Sequence, residues 1–307
     1  MRVLVTGATG MVGRRLVMRL IERGDTVQVL SRQPFKALPL KKAGVQVIGG
    51  DITQARTLPH ALAYVEVVYH VAALVGLGLI SPPYQLANVT GTANMLKAAT
   101  AAGVQRFVHV SSIAAYDNPT AQTRENGPIT RQHRGNAYST SKALGDLLAQ
   151  EAMNQSAMEV VIARPAVVYD TGRDTTDLRY RINYYRRFPV ICVRGGGNLG
   201  HDVIHADDVA RLLVLCGTHP NAPGKAFNAS SDEHLTMRQL FTEAQLQPPA
   251  ILNIPTRLKD ASYPADLARS ELEYDPMHHW RDPITSTADS SNSAIPQKVW
   301  EDDEPAE

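Results

Sequence analysis

The sequence predicts an α/β fold built on a parallel sheet. Three observations carry that expectation: strand-like and helix-like runs alternate from the first residues, a glycine-punctuated turn follows the first strand, and apolar residues then recur at helical spacing. Arg2–Thr6 (RVLVT) reads as a buried strand and residues 7–13 as the turn. Leu16, Val17, Leu20 and Ile21 mark the first helix, and Gly24 ends it in the left-handed position that commonly follows a helix C-terminus. Thr26–Ser31 is the second strand, residues 45–49 the third and Val67–His70 the fourth, running into an apolar segment at 71–80. Residues 84–102 read as a helix closed by Gly103, and 106–111 as the fifth strand. A polar loop with Asn118, Pro119, Asn126, Gly127 and Pro128 leads to a helix at 139–153, then to a sixth strand at 159–163 ended by Pro165. Beyond Tyr169 the alternation weakens: 175–187 reads as a helix rich in Arg and Tyr, 195–200 as a loop and 207–216 as a helix.

The 307 residues, 44% hydrophobic and 20% charged, are enough for one large domain or two small ones around a sizeable core. A formal net charge of +1 gives no global field for nucleic acid or anionic lipid, so neither is expected as a partner. Cys192 and Cys216 lack C-x-x-C spacing and argue for inert thiols in a reducing compartment. No apolar run approaches the roughly 20 residues of a membrane span and the opening apolar stretch is short for a secretory signal, so a cytoplasmic chain folding from Met1 is expected. Residues 283–307 hold six acids against Lys298, a charge of −5 that leaves +6 on the rest, and read as a disordered tail.

Gly7, Gly10 and Gly13 form G-x-x-G-x-x-G between a strand and a helix. Such glycines give a tight turn, close backbone approach to a pyrophosphate and close packing of helix on sheet, while the helix N-terminus offers N–H groups and partial positive charge. The pattern predicts a dinucleotide site. At the end of the second strand, where an acid would bond the adenosine ribose, stand Ser31 and Arg32. Arg offers a planar charged fork to a 2′-phosphate, which an acid would repel. NADP(H) is therefore expected in preference to NAD(H), with Lys36 a second candidate partner and a solvated surface Arg the plain alternative.

Tyr138 and Lys142 read Y-x-x-x-K at the start of a helix, one turn apart on one face. A free phenol near pKa 10 is a poor acid-base at neutral pH, and an adjacent ammonium would bring it towards working range. A serine after the fifth strand can donate to a substrate carbonyl oxygen as charge develops there. No metal site is expected: His278-His279 lacks further ligands at metal spacing and reads as surface.

With these motifs in hand, the sequence resembles the extended short-chain dehydrogenase/reductase superfamily, NAD-dependent epimerase/dehydratase family, in its hydroxysteroid-dehydrogenase and dihydroflavonol-reductase-like branch. The marks are TGATGMVG (6–13), HVAAL (70–74), NVTGT (88–92), VSSIAAY (110–116), YSTSK (138–142), RPAVVYD (164–170) and VIHADDVA (203–210), spread between Met1 and about Pro276. The resemblance implies a Rossmann doubly wound parallel sheet of about seven strands, a smaller C-terminal substrate-binding lobe and hydride transfer at nicotinamide. It implies Ser112 rather than Ser111 as the catalytic serine, with Tyr138, Lys142 and Asn88 completing the set, Asn88 by shaping the helix beside Lys142. Cofactor contacts are implied from Gly7, Thr9, Gly10, Met11, Val12, Gly13, Ile52, Ala72 and Pro165, from Tyr138 and Lys142, and from Asp51, whose plain alternative is a helix N-cap. Asp207 and Asp208 are expected to cap the helix that follows them. A homodimer through the helices at 84–102 and 139–153 is implied by resemblance alone.

The expected division is a NAD(P)-binding domain at 1–169, a mainly substrate-binding lobe at 170–282 with segments returning to the first domain, and the tail. The expected reaction is reduction of a small-molecule carbonyl, or oxidation of a secondary alcohol. Ile113 and Ala114 stand where dehydratases of the family carry acids, and Val167 where many nucleotide-sugar enzymes carry Asn, which weakens both readings. A nucleotide-sugar epimerase and a non-catalytic NADP-binding sensor or scaffold remain alternatives, the second opposed by intact Ser112, Tyr138 and Lys142. Arg173, Arg179, Arg181, Arg186 and Arg187, with Tyr180, Tyr184 and Tyr185, would suit an anionic substrate group, though a solvated basic face is the simpler reading.

Overall fold

The structure is a computed structural model, described here for residues 1–76, 81–133, 136–170, 188, 190–243, 250–254 and 260–281. Strands β1 (Arg2–Thr6), β2 (Thr26–Ser31), β3 (Gln46–Gly49), β4 (Val67–His70), β5 (Arg106–Val110) and β6 (Glu159–Pro165) lie in one parallel sheet. Its seventh strand comes from much later in the chain: Ala226–Ala229 pairs parallel with β6. Counting three intervening strands, β7 (Val167–Tyr169), β8 (Val190–Arg194) and β9 (Gly200–His205), that seventh strand is β10, and the order across the sheet is β10-β6-β5-β4-β1-β2-β3. The resemblance had implied about seven strands, but Ala-Phe-Asn-Ala is too short and too weakly patterned to read as one from the residues.

Both faces of the sheet are covered, which is why its strands are largely apolar. On one face Leu16, Val17 and Leu20 of helix Met11–Glu22 pack with Leu212 and Leu213 of helix Ala206–Thr218. On the other, Met95 and Ala99 of helix Gly91–Ala101 pack with Ala149 of helix Ala137–Gln155. The first helix ends at Gly24, φ 85°, as expected.

Several boundaries differ from the sequence reading. The helix expected at 84–102 is three pieces, an α-turn Ser81–Tyr84, a π-helical turn Gln85–Thr90 and the α-helix Gly91–Ala101. A π turn leaves no mark in hydrophobic periodicity, and such turns cluster at functional sites. The helix expected from Ser139 begins at Ala137, because the Asn136 side chain accepts from the Ser139 N–H at 2.9 Å. The loop expected at 195–200 contains a 3-10 turn, Gly195–Gly197, and Gly200 already belongs to β9.

Beyond β6 a smaller sheet joins β7, β9 and β11 (Glu233–Thr236), while β8 pairs parallel with β12 (Ala250–Ile254). Trp280 is buried against this part, among Tyr169, Val203, Leu235 and Phe241. The helix expected at 175–187, the arginines and tyrosines it carries and the acidic tail lie outside the described residues.

Candidate active site

A cleft of about 2590 Å³ runs across the C-terminal ends of the strands, above the point between β1 and β4 where the strand order reverses. Open parallel sheets take ligands at that switch point. Gly7 turns the chain there with φ 71°, and a Cβ on it would lie 2.7 Å from the Ala72 nitrogen. A Cβ on Gly13 would run into the Gly7 carbonyl oxygen. These two glycines bring the helix and the β4 loop close to the turn. Gly10 is exposed and stands at the N-cap of helix Met11–Glu22 with no side-chain cap, so the first-turn N–H groups suit an anion. Thr9, Met11, Val12, Ile52, Ala72 and Pro165 all line the same cleft.

Arg32 and Lys36 sit at its far end, exposed, with no ion pair among the described residues. Asp51 lines that end too. Its carboxylate accepts from the backbone N–H and hydroxyl of Thr53, both at 2.9 Å, closing a turn, and the next 3-10 helix begins at Ala55 with Gln54 as N-cap. Asp51 is therefore not a helix cap.

Ser112, Tyr138 and Lys142 all line the cleft. Ser112 caps a 3-10 turn, its Oγ accepting from the Ala114 N–H at 3.1 Å, and lies beside Tyr138. Ser111 is buried, and its N–H donates to the Ala163 carbonyl at 2.7 Å. Burial raises the Tyr138 pKa, partly offset by the neighbouring Ser112 hydroxyl. The expected lowering by Lys142 is not found. The lysine is buried, its Nζ donates to the Val110 carbonyl at 2.7 Å, and desolvation holds it down to about 8 against the pull of Asp146.

Asn88 does not line the cleft. It lies buried on the π turn, bonded to both backbone groups of Leu74 (2.7 and 3.0 Å) and, at 2.9 Å, to Ser141 beside Lys142. Behind Lys142 lies a charged network that the sequence reading missed. Asp146, one turn further along, accepts from Arg164 at 2.8 and 2.9 Å, and both side chains are at most 2% exposed. The Arg164 guanidinium also donates to the Tyr116 hydroxyl at 3.0 Å, which donates to Asn228 at 2.7 Å. Burial pushes the Asp146 carboxyl up, but the Arg164 hydrogen bonds and charge outweigh it and hold it below the ordinary carboxylate range. The signal available was the i, i+4 placement of Asp146 after Lys142.

The acids of VIHADDVA do not cap their helix as expected. His205 is the cap, its Nδ1 accepting from the Asp207 N–H, while Asp207 pairs with Arg19 and Asp208 accepts from Met277 and His278 backbone N–H groups at 3.0 Å. His278 is half-buried, stacked on His205 at 4.1 Å, and no group of metal-ligating side chains is found among the described residues. No described helix is long and apolar enough to cross a membrane.

A glycine turn at the switch point of a seven-stranded parallel sheet defines a Rossmann fold. The chain belongs to the NAD dependent epimerase/dehydratase family, whose model matches residues 3–230. The family comprises dehydrogenases and epimerases that use nicotinamide cofactors. Among similar proteins is the 4-hydroxy-2-methyl-3-oxo-4-farnesyl-3,4-dihydroquinoline-1-oxide ketoreductase of Stigmatella aurantiaca, 34% identical over 70% of this chain and 64% of its own. Another is a 3-beta-hydroxysteroid dehydrogenase of Mycolicibacterium neoaurum, 28% identical over 77% of this chain and 67% of its own. The matched stretch spans less than two thirds of the ketoreductase, and 58% of y4nG from Sinorhizobium fredii. In fold, the chain matches UDP-glucuronic acid 4-epimerase from Bacillus cereus, solved with UDP-glucuronic acid and NAD, with a TM-score of 0.76 at 20% identity over 92% of this chain and 96% of that one.

Proposed function

We propose that the protein is an NADP(H)-dependent oxidoreductase that reduces a carbonyl group, or oxidises a secondary alcohol, of a small molecule. The observation that carries this reading is the convergence of Ser112, Tyr138 and Lys142 in one cleft with the glycine turn, Arg32 and Lys36. Gly7, Gly10 and the helix N-terminus would hold a pyrophosphate, and Arg32 with Lys36 a 2′-phosphate. The nicotinamide cofactor, when bound, supplies or accepts the hydride. Ser112 donates to the substrate oxygen and aligns Tyr138, whose hydroxyl gives up its proton to that oxygen in reduction. Lys142, cationic below about pH 8, lines the same cleft with its ammonium held by the Val110 carbonyl, where it would bond the ribose of the cofactor.

Val167 lines the cleft where a polar residue would favour a nucleotide sugar, and Ile113 and Ala114 place no acid beside Ser112. The first favours a less polar substrate and the second argues against dehydration, in keeping with relatives named as a ketoreductase and a hydroxysteroid dehydrogenase. Purified protein, NADPH and a panel of cyclic and acyclic ketones test the reading. Net NADPH consumption matched by alcohol formation is expected, whereas an epimerase would interconvert substrates with no net consumption. Tyr138→Phe should lower kcat by roughly 10²–10⁴-fold, the usual range for loss of a general acid. Undiminished turnover in that variant would sink the assignment.

A further inference from the structure

The HVAAL segment begins with a histidine to which the proposed chemistry assigns nothing. His70 is 1% exposed at the end of β4, and each of its ring nitrogens has one hydrogen-bond partner. Nδ1 lies 2.9 Å from the Thr6 hydroxyl, and Nε2 lies 3.1 Å from the Thr92 hydroxyl. The neighbours fix which nitrogen carries the proton. The Thr92 hydroxyl donates to the Asn88 carbonyl at 2.8 Å, so its oxygen can only accept from His70, which requires Nε2–H. The Thr6 oxygen accepts from the Ala72 N–H at 3.1 Å, leaving its own proton for Nδ1. A second run starts from the Asn88 side chain, where Nδ2 donates to Ser141 Oγ at 2.9 Å and Ser141 Oγ donates to the Tyr138 carbonyl at 2.7 Å. Two runs of hydrogen bonds, one ending on the main-chain carbonyl of Asn88 and one starting from its side chain, thus link Thr6 beside the glycine turn to the backbone of Tyr138.

We infer that His70 is a positioning residue of the proposed reaction, a neutral strut locked in its Nε2–H tautomer that couples the end of β1 before Gly7 to the Asn88–Ser141–Tyr138 segment. The inference rests on the oxidoreductase reading for its kinetic consequence but not for its geometry. An imidazolium would donate from both nitrogens and reverse the Thr6 bond, leaving the Thr6 hydroxyl proton without its His70 acceptor. The surroundings prevent this. Burial, reinforced by the Lys142 ammonium, holds His70 down to about 3, while Phe107 and the neutral ring of His109 pack against it at 5.7 Å. Thr6 and Ala72 line the cleft and Thr92 does not, so the two ends of the strut can be perturbed separately.

The test starts from NADPH and NADH binding to the unaltered full chain; absence of both overturns the oxidoreductase reading and this one together. With ¹⁵N-histidine protein, and His70→Gln to identify the resonance, the expected spectrum is a neutral Nε2–H imidazole unchanged between pH 5 and 9. Thr92→Val should weaken NADPH binding by several-fold although it lies outside the cleft, and should have no further effect in a His70→Phe background. His70→Gln, which keeps an acceptor and a donor, should retain more NADPH affinity than His70→Phe at equal thermal stability. An Nδ1–H tautomer, titration of His70 near pH 6.5, or an equal effect of Thr92→Val in both backgrounds would overturn the coupling while leaving the oxidoreductase reading intact.

Discussion

Two groups of cations flank the glycine turn, and they behave differently. Arg14, Arg15 and Arg19 follow it directly on helix Met11–Glu22, yet all three are committed: Arg14 and Arg15 to Asp170 after β7, Arg19 to Asp207. Arg32 and Lys36 follow β2, are exposed and have no ion pair among the described residues. Proximity to the phosphate loop in sequence therefore does not mark a cation as available to a phosphate. Acids some 155 to 190 positions away decide it, by claiming the first group and leaving the second.

The same contrast between committed and available groups ranks the expected effects of perturbation. Arg164→Met strands the buried Asp146 carboxylate and should cost about 3–5 kcal/mol in a denaturant titration, the range for breaking a buried pair. Replacing both partners with apolar residues should recover much of that loss. Acid acts on the committed interior next. An unfolded imidazole takes a proton near pH 6.5, but buried His70 resists until about 3 and His109 is also held well below its usual value. Between those limits the unfolded state binds more protons, so stability is complete above about pH 6.5 and falls below it by up to about 1.4 kcal/mol per pH unit for each ring. His70→Gln should flatten that fall.

The available group should respond in binding and not in stability. Arg32→Asp should weaken NADPH binding by about 2 kcal/mol, roughly 30-fold, with an unchanged melting temperature. Lys36→Ala should cost a few-fold at most, about 0.5 kcal/mol, as exposed single charges do. If Lys36 proves the stronger of the two, the planar fork of Arg32 is not what recognises the phosphate. A loss of stability in Arg32→Asp would show that Arg32 is committed after all.

What was legible in the sequence was whatever depends on neighbours in the chain. The glycine turn, six of the seven central strands and the i, i+4 spacing of Tyr138 and Lys142 follow local rules. What was not legible depends on partners brought together by the sheet. Asp207 reads as a helix cap because Asp often is one, until Arg19 approaches from another helix and His205 takes the cap. Lys142 reads as a neighbour of Tyr138, but its ammonium meets the Val110 carbonyl from β5. His70 and Arg164 stand inside family motifs and Asp146 at i, i+4 from Lys142, but their roles exist only once β4, β5, β6 and two helices are assembled.

The cofactor selectivity of the unaltered protein tests the central claim most directly. Calorimetric titration with NADPH and with NADH, under one buffer and salt concentration, should show NADPH bound more tightly, with the order narrowed or reversed in Arg32→Asp. Equal or tighter binding of NADH by the unaltered protein would contradict the account.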